Sequence, residues 1–225
     1  MRHAMHNLCW ILHKDLLTEL RSRGAWSTMV LTGIVVAVIF SVQSEAAAAY
    51  KQQTIGCLLW MAVFLAAIPM MDRGFAIERE NGCWDGLRQL PVAGSVIFIA
   101  KLAANVLALG ILECLLMPLF FVLSSVPLPG GAGPLVLVAL LANIALASVG
   151  TTVGCLGVGR RSGAALVVLV LPLLIPVLLA AAECTRLTVA GNAGEVYWRW
   201  LQLLAVFDVL FVAAGLVLFE TASEE

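Results

Sequence analysis

Residues 97–123 read IFIAKLAANVLALGILECLLMPLFFVL. Wound as a helix, this run is apolar on every side, with Lys101 and Glu113 as its charged members. A helix of ~20 residues crosses ~30 Å of hydrocarbon, and a helix apolar all round must be buried in protein or lipid. Five further runs of this kind lie at 25–44, 53–71, 134–157, 164–182 and 200–219. The pattern predicts an all-α membrane protein with six transmembrane helices. One permease-like domain, 25–219, would follow a segment 1–24 and precede a tail, 220–225. Little of the 225 residues is left for a separate soluble domain.

Composition agrees. Charged residues make up 12% of the chain, against about 25% in an average one. A net charge of −1 with no basic stripe gives no reason to expect a nucleic-acid partner. No cleavable signal peptide is expected, because the first 24 residues are charged and lack a short apolar core. Cys9, Cys57, Cys83, Cys114, Cys155 and Cys184 are scattered and form no CxxC pair, so they read as small apolar fillers rather than a disulfide framework or zinc site.

Loop cations set orientation. Arg2, Lys14, Arg21, Arg23, Arg73, Arg79, Arg88, Arg160 and Arg161 fall on one face, and Lys51, Arg186 and Arg199 on the other. The bias puts both termini in the cytoplasm, which requires an even number of spans. Lys101 sits just inside the third span on the basic side and can snorkel. Trp26, Trp60, Trp198 and Trp200 are expected in the interfacial belts.

On the cytoplasmic face, residues 6–23 place Leu8, Leu12, Leu16 and Leu20 at four-residue spacing. This predicts an amphipathic helix, stopped at Gly24, that lies in the interface or caps the bundle. The loop 72–96 is longer than a turn requires. It supplies a short helix over 83–90, ended by Pro91, or else a solvated charged loop. In the fifth span, Pro172 and Pro176 free the carbonyls of Val168 and Pro172. Such carbonyls need another partner in lipid, so this span is expected to be kinked, as a fixed bend or a hinge, and to face protein.

A charge near mid-membrane costs at least ~3 kcal/mol on insertion scales. Glu113, ~18 Å along the helix from Lys101, must therefore be protonated, paired or beside water. Asn105 shares roughly its face, and Asn143 and Asp208 are candidate partners. Together Glu113, Asn143 and Asp208 either line a pathway or satisfy one another. Gly150 and Gly154 form a small-xxx-small face. The stretch Gly154–Ser162 nearly matches GxxxxGK[ST], but Arg160 replaces the lysine and Arg161 stands where magnesium would need a hydroxyl. No HExxH or GxSxG motif is present. A non-catalytic subunit is expected, with any ATPase in a separate chain.

Glu78-Arg79-Glu80-Asn81-Gly82, then Leu87-Arg88-Gln89-Leu90-Pro91-Val92, then Lys101 resembles the loop between spans two and three of ABC-2 type permeases. Trp84-Asp85-Gly86 departs from that pattern. Residues 150–179, GTTVGCLGVGRRSGAALVVLVLPLLIPVLL, are similar to the CcmB family of heme exporter B subunits in cytochrome c maturation. The resemblance covers 8–219. It implies an ABC-2 type six-helix topology in the cell inner membrane and a coupling helix against an ATP-binding subunit. Glu78, Arg79, Glu80, Gly82, Trp84, Leu87, Leu90 and Pro91 would make that contact. Partners implied are a CcmA-like ATPase, CcmC-like and CcmD-like membrane proteins, a CcmE-like haem chaperone and a second membrane subunit. ATP would bind the partner, and haem would be handled by the complex. His3, His6 and His13 all lie in the cytoplasmic tail, so no histidine is offered to haem on the outer face. The alternative is an ABC-2 exporter for polysaccharide, lipid or drug.

Overall fold

Inside hydrocarbon a backbone has no water to bond, so a spanning segment must close its own hydrogen bonds as a helix. The computed structural model describes residues 23–43, 48–73, 94–127, 131–156 and 163–224, and outside short turns these are helical. In chain order they are α1 (Arg23–Gln43), α2 (Ala48–Arg73), α3 (Gly94–Ser124), α4 (Gly133–Leu156), α5 (Gly163–Val189) and α6 (Glu195–Glu224). Five of them contain stretches long and apolar enough to cross a membrane: Lys51–Ile68, Gly94–Ser124, Gly133–Gly154, Leu171–Val189 and Glu195–Thr221. Among the described residues, α1 offers the shorter stretch Ser27–Ile39.

The helices overrun the apolar runs that announce them. The second begins at Ala48 rather than 53, and the sixth runs from Glu195 to Glu224 rather than 200–219. Polar residues such as Lys51 and Gln52 lower hydropathy but are good helix formers. Gly24, expected to stop a preceding helix, is itself the second residue of α1. The amphipathic segment 6–23, apart from its last residue, lies outside the described residues.

Helix ends are set by local chemistry. At the end of α5 the Asn192 N–H bonds the Leu187 carbonyl at 2.9 Å and the Gly191 N–H bonds the Thr188 carbonyl at 3.0 Å. This is a Schellman cap, which needs a left-handed residue at its turn, and Gly191 supplies φ 69°. Two residues into α4, Pro134 loses nothing by lacking an N–H, since the first turn has no partner for it.

The helices bury one stripe each and leave the other bare. On α6 the buried stripe is Tyr197, Leu201, Leu204, Asp208, Phe211, Gly215 and Phe219, at steps of three or four. Val206, Val209 and Val217 stand 63–72% exposed on its other side. Leu31 on α1, Val122 on α3, Val136 on α4 and Ile175 on α5 are likewise bare. In water a belt of this kind would be an unmet interface; around a helical bundle it is the surface that lipid covers.

α2 packs chiefly on α5, and α4 on α6 and α5, while α3 lies against α4, α1 and α6. α2 and α3, consecutive in the chain, share less contact with each other than either does with its main neighbour. α3 and α6 are the longest helices, at 31 and 30 residues, about 45 Å each. Near the start of α3 and the end of α6, the rings of Phe98 and Phe219 meet with centroids 5.9 Å apart.

Candidate functional site

The polar groups buried in the bundle hold α3 to α4 and leave one carboxyl on α6 between helices. Asn105 Nδ2 on α3 donates to Thr151 Oγ1 on α4 at 2.9 Å. Two turns further along α3, Glu113 Oε2 accepts from Asn143 Nδ2 of α4, also at 2.9 Å. Eight residues forward on α3 match eight backward on α4, which fixes the pair as antiparallel. Glu113 and Asn143 are both buried.

Asp208 enters from α6. The Tyr197 hydroxyl donates to the Pro134 carbonyl at 2.9 Å, and Gly215 lies against Thr152. Each contact pairs an α6 residue with the α4 residue 63 positions earlier, so α4 and α6 run parallel in one register. On that register Asp208 is level with Ala145, about 3 Å along the axis from Asn143. Glu113, Asn143 and Asp208 thus occupy one layer on three helices that touch pairwise. Asp208 is 6% exposed, and neither of its carboxyl oxygens has a hydrogen-bond partner. Of the two partners the sequence offered to Glu113, the structure therefore bonds Asn143 and leaves Asp208 beside them in depth.

The hydroxyls of α4 and α5 are satisfied locally. Thr151 donates to the Ala147 carbonyl at 2.7 Å, Thr152 to Ser148 at 2.8 Å, and Thr185 to Ala181 at 2.8 Å. Each such bond leaves the hydroxyl oxygen free to accept from another helix. Thr151 uses it for Asn105 and Thr185 for Trp60, whose indole Nε1 donates at 2.9 Å.

That last bond corrects an expectation. Trp60 is 1% exposed, inside the bundle and not in an interfacial belt, because its N–H finds a hydroxyl there. Trp198, 53% exposed at the start of α6, does suit a belt. Lys101 is corrected too: it is buried and engaged by neighbouring groups, rather than snorkelling along the outside. The helix starts three residues before the apolar run, and the face carrying Phe98 and Ala104 turns Lys101 inward. Pro172 is exposed and Pro176 half-buried on an uninterrupted α5, so Pro172 points away from this chain's own helices. Cys57 and Cys114 are exposed on the bundle surface, and Cys184 is buried.

Sequence reasoning missed a close backbone approach between α2 and α5. A methyl group on Gly56 of α2 would overlap the backbone carbonyl of Ala182 on α5. No spacing rule marks this glycine. The small-xxx-small glycines that were singled out, Gly150 and Gly154, lie on α4, the first buried and the second half-buried. At the α5–α6 end, two of the three expected outer cations are paired within their own helices, Arg186 to Glu183 at 2.8 Å and Arg199 to Glu195 at 2.6 Å.

Glu78, Arg79, Glu80, Gly82, Trp84, Leu87, Leu90 and Pro91 lie outside the described residues. The helices flanking that stretch, α2 and α3, are described, and they lead from it into different neighbours.

The family model described as CcmB protein matches residues 6–223. Heme exporter protein B of Rhodobacter capsulatus is 30% identical over 203 residues, covering 90% of this chain and 93% of that protein. Heme exporter protein B of Paracoccus denitrificans is 38% identical over 138 residues, 60% of this chain and 62% of that protein. The Pseudomonas aeruginosa protein of the same description is 30% identical over 165 residues, 71% of this chain and 73% of that protein. A match that runs from ahead of α1 to the last turn of α6 takes in the whole helical bundle, and this chain belongs to the CcmB family.

Proposed function

We propose that this chain is the membrane subunit of an ABC-type complex for c-type cytochrome biogenesis. ATP hydrolysed by a separate subunit would drive haem export, or release of the haem-loaded chaperone, at the outer face. The observation that carries this reading is the end-to-end family match to proteins described as heme exporter protein B, on a bundle whose outside is apolar. In it the chain crosses the inner membrane six times with both termini in the cytoplasm, and α1 supplies the sixth crossing. Neither haem nor ATP binds this chain directly. The partners are a CcmA-like ATPase, CcmC-like and CcmD-like membrane proteins, a CcmE-like chaperone and a second membrane subunit.

The helix packing supports a route for the work. The stretch carrying Glu78–Pro91 joins α2 to α3. α2 rests on α5, with Gly56 against Ala182 and Trp60 bonded to Thr185. α3 is tied to α4 by two side-chain bonds. A soluble engine bearing on this elbow would pull on two helix pairs that share little contact at α2–α3 and are joined through α4–α5. Because packed interfaces switch between discrete arrangements, such a pull would shift one pair against the other.

Deletion tests the function: c-type cytochromes should fail to acquire haem without this protein, and continued haem attachment would refute the reading. Detergent pull-down tests the coupling. An ATPase subunit should co-purify, and Glu80→Ala should weaken its capture or its activity.

A further inference from the structure

In the layer of Glu113, Asn143 and Asp208, the Glu113–Asn143 pair leaves a specific imbalance. One bond is made, Asn143 Nδ2 to Glu113 Oε2 at 2.9 Å. The other oxygen of each group, Glu113 Oε1 and Asn143 Oδ1, is buried with no partner. Both are acceptors if Glu113 is ionised, since a carboxylate has no proton to give and an amide oxygen never has one. Two buried acceptors without a donor is a costly arrangement, about 1–3 kcal/mol each. An ionised carboxylate at this depth adds at least ~3 kcal/mol on insertion scales.

We infer that Glu113 binds a proton on Oε1 and donates it to Asn143 Oδ1, closing a cyclic acid–amide pair between α3 and α4. One proton removes both vacancies and the buried charge together. The ring then has two parallel bonds, N–H to Oε2 and O–H to Oδ1. Exchanging the amide's O and N leaves the same count, so the inference does not depend on which way Asn143 is turned. The other charged groups facing these helices do not change the conclusion. Lys101 lies on α3 about 18 Å nearer the other end and is already engaged. Asp208, level with the pair on α6, is an acid and would oppose a second negative charge. The proton therefore acts as a structural ligand of the α3–α4 contact, whatever the complex transports.

Infrared difference spectroscopy of the purified full chain in detergent tests this at neutral pH. Subtracting Glu113→Gln from the parent should show loss of one protonated-carboxyl C=O band. Asn143→Leu should shift that band to higher frequency as its hydrogen bond is lost. A difference spectrum with carboxylate bands instead overturns the proposal. Thermal melting gives a second readout. Glutamine presents an N–H donor and a C=O acceptor to the same ring, so Glu113→Gln should melt close to the parent, whereas Glu113→Leu should melt lower. Equal losses for Gln and Leu would also overturn it.

Discussion

The α2–α5 contact and the α3–α4–α6 contact solve one problem in opposite ways. Helices in lipid gain little from burying apolar surface against each other and rely on close packing and hydrogen bonds. At α2–α5 the backbones nearly touch at Gly56 and Ala182, and the Trp60–Thr185 bond leaves both of its polar groups satisfied. At α3–α4–α6 the helices enclose polar groups, and four of their oxygens receive no N–H or O–H from another side chain or the backbone: Glu113 Oε1 and Asn143 Oδ1, which one added proton would join, and both of Asp208. The first contact is limited by space, and the second by the supply of donors. A seam limited by space should resist any added atom, whereas one limited by donors should respond to added or removed polarity.

The largest effect should come from filling the α2–α5 contact. Gly56→Val meets backbone rather than a movable side chain, so about 3 kcal/mol or more should be lost, seen as a lower melting temperature in detergent. Gly215→Ala sharpens the comparison at the other seam. Its new methyl meets the Phe98 ring and Thr152 Oγ1, side-chain atoms that can shift, so a smaller loss of about 1–2 kcal/mol is expected by the same melt. Asn105→Ala removes one donor from α3–α4 while Thr151 keeps its bond to Ala147. The loss should be about 0.6 kcal/mol, the average for an interhelical bond in membranes. Trp60→Phe keeps most of the ring's packing and drops only the indole N–H, with Thr185 still bonded to Ala181, so a similar or slightly smaller loss is expected. If it cost as much as Gly56→Val, α2–α5 would be held by its hydrogen bond and the contrast would fail. Arg199→Ala, outside both seams and 72% exposed, should change stability by less than about 0.5 kcal/mol.

The polar seam was the legible one. A carboxyl in the middle of an apolar run has to be answered from a neighbouring helix, so Glu113 points to Asn143 or Asp208, and only the packing selects Asn143. Asn105 lay on a compatible face and also bonds α4. The six helices among the described residues fall on the six apolar runs that hydropathy marks, five of them with membrane-length stretches, but the ends were not marked, because helix propensity continues where apolarity stops. Gly56 carried no mark, since which glycine lets two backbones meet depends on the partner's position. Trp60 misled for a related reason. A tryptophan serves a belt or a core equally well by composition, and only the hydroxyl of Thr185, 125 residues away, decides between them. The backbone cost of Pro172 is visible in the sequence, whereas its side of α5 is set by which stripe packs.

The reach of α3 and α6 has one more consequence. If the Glu113–Asn143 layer marks the bilayer centre, Gly94 stands about 28 Å from it, well past the ~15 Å half-thickness of the hydrocarbon. Lys101, at about 18 Å along the helix, then lies where the hydrocarbon ends, so its burial among protein does not place a cation at the bilayer centre. The ends joined by Phe98 and Phe219 would rise together as a pedestal above the lipid headgroups. Any soluble protein approaching from that side would land on protein before it touched membrane.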